Sequence, residues 1–358
     1  MNQKKLILAI NPGSTSTKIA VYDANEQLFI TTIRHSAEEL APYEKVAQQY
    51  EFRKGLILEE VSKANFDLNE FKVIIGRGGL IRPVASGIWN VNEKMLEDLR
   101  NGLGGEHASN LGGLIAFDIA SKIPGAKAVI ADPVVVDELN DIARVSGHPL
   151  MPRKSVFHAL NQKAIARRLA KDLNKNYEDL NLIGVHLGGG ISVGAHQKGK
   201  VIDVNQALDG DGPFSPERTG SLPVNELVSL CFSGKYSEKE IRKFLVGQGG
   251  YVAYLGTNDA QKVELAAKDG DEKASFIQKA MAYQISKEIG AMATVLKGKV
   301  DAIFFTGGIA YSKDFVELLK ERTSFIAPIH IYPGEDEMGA LAQNALMLID
   351  GVAKSMEY

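Results

Sequence analysis

The sequence predicts an α/β protein of two duplicated three-layer α/β/α domains. Three observations point there. One local pattern occurs twice, runs of strand length alternate with stretches of helical spacing, and 358 residues are long for a single core. The repeated pattern is an apolar strand, a tight turn of small residues and a second apolar strand. It covers Leu6 to Asp23 (LILAINPGSTSTKIAVYD) and again Leu182 to Val204 (LIGVHLGGGISVGAHQKGKVIDV). Asn11 and His186, at the two turns, lie about half the chain length apart. Turns rich in Gly, Ser and Thr present backbone N–H groups and hydroxyls, which suit phosphate oxygens.

The remaining elements follow in order. Gln27 to Arg34 continues the first unit as a third strand, and Tyr43 to Ala64 has helical spacing. Lys72 to Ile75 (KVII) is a short buried strand running into Gly76-Arg77-Gly78-Gly79. Glu93 to Asn101 and Ser109 to Lys122 are helices, and Ala128 to Ala131 is a buried strand ending at Asp132-Pro133. Asn161 to Asn174 is a basic helix. A glycine-rich loop (209–221) and a helical region (224–246) come after the second repeat, then a long helix from Lys273 to Leu296. Asp301 to Phe305 (DAIFF) is a strand leading to Thr306-Gly307-Gly308. A helix from Lys313 to Arg322, an edge strand at His330 to Tyr332 and a last helix from Glu337 to Ile349 complete the chain.

Composition removes several classes. A net charge of −3 gives no electrostatic reason to expect nucleic acid. The single cysteine, Cys231, excludes an internal disulfide or a cysteine metal site and fits a reducing compartment. The first residues carry too few apolar positions for a signal peptide, and no run approaches a membrane span. The expectation is a cytoplasmic protein with no membrane partner.

Each candidate residue has a functional and a structural reading. Gly188-Gly189-Gly190 lets a backbone approach a ligand closely or forms a plain hairpin. Its pairing with the small-residue run Asn11 to Thr17 favours the ligand. Arg77 suits a carboxylate or phosphate, or pairs with a local acid, and Arg218 is similar. Asp132 faces a cleft or caps a turn. Thr306-Gly307-Gly308 lies under a nucleotide or serves helix–strand packing. His107, His158 and His186 lack metal-ligand spacing, so zinc is not expected. Asp336 and Glu337 precede the last helix, where carboxylates also cap. Gly194 to Lys200 mimics a Walker A loop, but Val201 replaces the hydroxyl residue and a strand follows, so a P-loop is rejected.

Taken in order, these segments resemble the acetate and butyrate kinase family, within the group sharing the actin and hexokinase ATPase domain. The resemblance spans nearly the whole chain. It rests on Asn11 to Lys18 (NPGSTSTK), Arg77 beside Gly78-Gly79, His107 to Asn110, Asp132, Phe157-His158, His186 to Gly190, Arg218-Thr219-Gly220, Thr306 to Ile309 and Glu335-Asp336-Glu337. Gly-Arg-Gly-Gly, Gly-Glu-His-Ala-Ser-Asn and Phe-His-Ala-Leu-Asn-Gln place it nearer the butyrate branch. Three departures from the acetate pattern stand out. Gly78 and Gly79 replace bulky residues, Gly189 replaces an asparagine, and His158-Ala159-Leu160-Asn161-Gln162 lacks a second histidine. The two glycines beside Arg77 read as room for a longer acyl chain.

The resemblance implies an actin/hexokinase-like (ribonuclease H-like) fold with an interdomain cleft. The halves would be 1–153 plus 337–358, holding carboxylate and Mg²⁺, and 154–336, holding ATP. It implies reversible phosphoryl transfer from ATP to a short-chain carboxylate. A carboxylate is ionised at neutral pH and needs no base, so the site's task is to align two anions and offset their charge. Arg77 would bind the carboxylate, with Gly78, Gly79, His107 and Phe157 around the substrate. Arg218 and His158 would stabilise the phosphoryl oxygens, and Asp132 would orient substrate or the metal shell. Asn11 and Glu337 would hold Mg²⁺. Ser14, Lys18, His186, Gly188, Gly189 and Gly190 would face phosphates. Thr306, Gly307, Gly308 and Ile309, with Asn258 and Asp259, would contact adenosine. A homodimer or larger homo-oligomer is expected. A sugar-type kinase would need Asp132 as a base but no arginine clamp. A non-catalytic ATP-binding module would need a peptide-binding or polymer-contact region, which this sequence does not resemble.

Overall fold

The computed structural model describes residues 4–358. The chain forms two compact units. One comprises the described residues up to Val136 with Asp336–Tyr358, and the other is Asp137–Glu335. The segment 137–153 therefore belongs to the second unit.

In the first unit, strands β1 (Leu6–Pro12), β2 (Ser16–Asp23), β3 (Glu26–Arg34), β4 (Phe71–Arg77), β5 (Ile88–Asn90), β6 (Lys127–Ala131) and β12 (Ser355–Glu357) form one sheet. Its order is β12-β5-β6-β4-β1-β2-β3. Strands β1, β2 and β3 pair antiparallel in sequence, whereas β4 runs parallel beside β1 and β6 parallel beside β4. Alternation sorts the side chains of β1 to two faces. Leu6, Leu8 and Ile10 join a core with Leu111, Leu114 and Ile115 of helix Asn110–Ser121. Ile7 and Ala9, on the other face, are equally buried, and helix Glu337–Ile349 packs on β1 and β4. Helices thus cover both faces of the sheet.

The second unit repeats the plan. Strands β7 (Asn181–Leu187), β8 (Ile191–Gln197), β9 (Lys200–Val204), β10 (Ala302–Gly307) and β11 (Ile329–Pro333) take the order β11-β10-β7-β8-β9. Two antiparallel hairpins and two parallel neighbours recur as in β3-β2-β1-β4-β6. Ile183, Val185 and Phe305 face Met281, Ile285 and Ile289 of helix Glu272–Val295, while Leu182 and Phe304 face Ala166 and Leu169 of helix Ala159–Asp172. Each half is a three-layer α/β/α unit, as the repeat predicts.

Several element boundaries differ from expectation. The second repeat contains a further turn at Lys198-Gly199, both at positive φ, so β8 and β9 are separate strands. That hairpin also accommodates the Walker-like Gly194 to Lys200. Helix Tyr50–Lys63 begins later than Tyr43, after a 3₁₀ turn at Val46–Gln49. Strands Ile88–Asn90 and Ser355–Glu357 pair with each other and are too short to show a period. Helices Gly250–Leu255 and Ala260–Lys268 were also not anticipated.

Candidate active site

The β1–β2 turn is shaped from behind by a residue that sequence reasoning missed. Arg53, on helix Tyr50–Lys63, is 1% exposed. Its guanidinium donates to the carbonyl oxygens of Gly13, Ser14 and Ser16 at 2.6, 2.9 and 3.0 Å. Burial lowers this guanidinium to about 10. With those carbonyls occupied by Arg53, the turn can offer N–H groups to a ligand. A buried arginine far along the chain leaves no local signal. Ser14 is exposed on the turn, and Lys18 pairs in register with Asn11 across the hairpin.

Asn11, Arg77 and Glu337 come together in the first unit. Arg77 Nη1 lies 2.8 Å from Glu337 Oε1 and 2.9 Å from Oε2. Asn11 donates its amide N–H to Glu337, and its Oδ1 lies 3.4 Å from Arg77 Nη1. Strand ends supply Asn11 and Arg77, and the first turn of the last helix supplies Glu337. Arg77 therefore has an acidic partner, but one 260 positions away. Both contacts use a single guanidinium nitrogen, and among the described residues Nε and Nη2 make no such contact, which leaves that edge for a second carboxylate.

The three consecutive acids part company. Glu335 Oε1 lies 3.0 Å from His186 Nε2, Asp336 caps the last helix through Gly339 N, and Glu337 meets Arg77. Of these, Glu337 is the one expected on the metal side, and Arg77 and Asn11 are its partners. One carboxylate beside one carboxamide oxygen fits a magnesium ion that keeps its other contacts to phosphates and water. No group of three or more metal-binding side chains forms among the described residues.

Asp132 sits at φ 38°, a strained value for this residue, with its carboxylate buried. Its Oδ1 accepts from Ser86 Oγ at 2.7 Å and from Gly87 N at 2.8 Å. These bonds hold the 86–87 turn. His107 is exposed, and its Nδ1 meets Ser109 Oγ at 2.8 Å.

Gly78 and Gly79 overturn the reading of an acyl-chain pocket. A Cβ on Gly78 would lie 2.5 Å from Pro133 Cβ, and one on Gly79 would lie 2.6 Å from Asn110 Cα. Close packing, rather than ligand space, excludes side chains at both positions.

In the second unit, His158 and His186 stack with ring centroids 3.7 Å apart. His186 is buried, and its Nδ1 meets Asn161 Oδ1 at 2.9 Å. Phe157 is 2% exposed and belongs to the interior. Arg218 lays its guanidinium against Gly190, where any Cβ would overlap it. Its Nη1 donates to Ala207 O at 2.6 Å, while Nε is buried with no partner among the described residues. Burial lowers the Arg218 guanidinium. An unspent buried donor suits an anion.

A cavity of about 820 Å³ in this unit gathers Gly188, Gly189, Asn258, Gly308 and Ile309. Tyr251, Gln278 and Tyr311 also line it, none of which the sequence singled out. The size suits a nucleotide-scale ligand. Thr306 and Gly307 lie behind the wall instead. Thr306 Oγ1 donates to Gly334 O, and Gly307, at φ 89°, packs on the Leu187 backbone. Asp259 is also misplaced as a nucleotide contact. Its carboxylate caps helix Ala260–Lys268 through Gln261 N and Lys262 N.

A five-strand motif that occurs twice, each copy turning through small residues, defines a fold of the actin and hexokinase type. Solved structures agree on that fold. A Porphyromonas gingivalis acetate kinase matches with TM-score 0.79 at 18% identity, covering 96% of this chain and 100% of that one. A Francisella tularensis propionate kinase matches with TM-score 0.74 at 19% identity, covering 95% and 98%. The model of the acetokinase family matches residues 143–326. Butyrate kinase 2 of Clostridium acetobutylicum is 56% identical over 352 residues, 98% of this chain and 99% of that protein. The chain belongs to the acetokinase family.

Proposed function

We propose that this enzyme transfers the γ-phosphoryl group of ATP, reversibly, to a short-chain fatty acid, butyrate or a branched C4–C5 acid. The products are an acyl phosphate and ADP. The observation that carries this reading against a hydroxyl-directed kinase is the state of Asp132. A hydroxyl nucleophile needs a base, and the carboxylate the sequence offers for that task, Asp132, already accepts from Ser86 and Gly87 through Oδ1. A carboxylate nucleophile needs none. The choice of acid is supported by 56% identity to a butyrate kinase.

In this scheme Arg77 offers Nε and Nη2 to the substrate carboxylate while Glu337 holds its other end. The turn Gly188 to Gly190 receives the β-phosphate by its N–H groups, with Lys18 as a further cation, and the cavity behind it receives adenosine. Arg218 and His158 donate to the oxygens of the group in flight. Asn11 and Glu337 would hold Mg²⁺, which, when bound, offsets phosphate charge. Asp132 positions the turn beside the substrate.

Further parts of the reading are a homo-oligomer of at least two copies and a cytoplasmic setting. The first is supported by the exposed Val224, Val228 and Phe232, and the second by the single exposed cysteine. No helix among the described residues is long and apolar enough to cross a membrane.

The test is hydroxylamine trapping of acyl phosphate with ATP, Mg²⁺ and a panel of C2 to C6 linear and branched acids. C4–C5 acids should give the highest kcat/KM. Highest turnover on acetate would overturn the acyl assignment, and phosphorylation of a sugar with no acyl product would overturn the class.

A further inference from the structure

Gln162 stands where the acetate kinase pattern has a second histidine, and the scheme above gives it no task. Its surroundings supply one. Gln162 lies on the first turn of helix Ala159–Asp172 and is completely buried. Its Nε2 donates to Ser192 O at 3.1 Å and to Ser192 Oγ at 2.8 Å. A carbonyl oxygen only accepts, so this contact fixes which end of the amide faces Ser192. Gln162 Oε1 is then turned toward His196 Nε2, 2.9 Å away. That nitrogen must carry a hydrogen. His196 is completely buried, and burial, then Lys163, pushes its imidazole well below its ordinary range. The ring is neutral, its Nδ1 is bare, and Tyr177 OH donates to it at 2.6 Å.

The direction continues to the active site. Ser192 Oγ accepts from Gln162, and its own hydrogen has one acceptor among the described residues, His158 Nδ1 at 2.9 Å. The reverse arrangement would leave a buried hydroxyl hydrogen without a partner. The backbone makes room for this chain. A Cβ on Gly184 would lie 2.7 Å from His196 Nε2 and 2.9 Å from Gln162 Oε1, and one on Gly194 would lie 3.0 Å from Gln162 Oε1. Register also contributes, because Ser192 pairs directly with His186, on which His158 stacks.

We propose that Tyr177, His196, Gln162 and Ser192 form a one-way hydrogen-bond relay that positions His158 and holds it in the Nε2–H tautomer. His158 then presents a fixed neutral donor rather than an exchanging acid. This rests on the assignment of His158 to the phosphoryl oxygens, and the following experiment separates the two.

Imidazole nitrogen NMR of the isotope-labelled full-length protein reads the tautomer directly, with H158Q identifying the His158 signal. Wild type should show a protonated Nε2 and a bare Nδ1. S192A should give mixed tautomers and lower kcat by about tenfold, with KM for ATP and acid little changed. S192T should restore both readouts. Q162L should disturb the tautomer through Ser192, because it removes the side-chain bonds to Ser192 and His196 and keeps the Gln162 N–H bond to His158 O. A protonated Nδ1 in wild type overturns the relay, as does an unchanged tautomer in S192A. A shifted tautomer with unchanged kcat would uphold the relay and overturn the catalytic assignment of His158.

Discussion

Arg77 shows how a residue's role depends on which of its atoms are occupied. Glu337 and Asn11 share one nitrogen of the guanidinium, which orients the group and leaves a bidentate edge. Arg77→Ala should therefore raise KM for the carboxylate and lower kcat, with the KM for ATP little changed. Steady-state kinetics varying each substrate checks this, and a lost ATP affinity with intact acid affinity would contradict it. Gly79 is a contrasting case. Its sequence position beside Arg77 invites a specificity role, but the Asn110 backbone occupies the space a side chain would need. Gly79→Ala should destabilise the fold by about 1–3 kcal/mol through overpacking. Activity on acetate and butyrate should fall together. A selective loss on the longer acid, with an unchanged denaturation midpoint, would restore the pocket reading.

At the scale of elements, helix Glu272–Val295 carries a built-in pH dependence. Glu288 is pushed up to about 7, first by burial and then by Asp211, with Arg153 opposing and Asp203 adding. Arg153 bonds both of those aspartates, so its charge is largely spent. A carboxyl raised from 4.5 to about 7 keeps its proton in the folded state while the unfolded chain releases it. Below pH 4.5 the two states match, so this group costs nothing there. Stability then falls as pH rises through the window between the two values, and the full cost is present above 7. Glu288→Gln should stabilise the protein by roughly 1–3 kcal/mol at pH 8 and by little near pH 4.5, read from urea unfolding. Equal effects at both pH values would show that charge is not the cause. The period of this helix was legible in the sequence. The carboxylates that approach it from 203 and 211 were not, because β9 and the following loop bring them there.

For the molecule as a whole, the two substrates should register on separate parts of the chain. ADP at a hundred times its Kd should stabilise the folded state by about 2.7 kcal/mol, seen as a raised thermal midpoint. Arg77→Ala should keep that ADP shift and lose the smaller one given by butyrate alone. Loss of the ADP response in this variant would mean that Arg77 belongs with the nucleotide. On the proposed reading, this division of labour would follow from the duplication. Each copy of the β-turn-β unit has a turn of small residues between its strands, and the two turns have different neighbours: Arg53 behind Gly13 to Ser16, and Arg218 against Gly190.

The duplication, the strands carrying Asn11, Arg77 and His186, and the family were all legible in the chain. Buried strands and small-residue turns are local patterns, and motif order survives without geometry. Tertiary structure alone decided which neighbour each group met. It turned Gly78 and Gly79 from pocket into packing, placed Asp259 on a helix cap, and divided Glu335, Asp336 and Glu337 among three tasks. It also introduced Arg53 and the path from Tyr177 to His158. The physical reason is common to all of these. Sequence periodicity records which face of an element is buried, whereas the partner of a buried polar group is set by strand order and helix crossing, which join positions far apart in the chain.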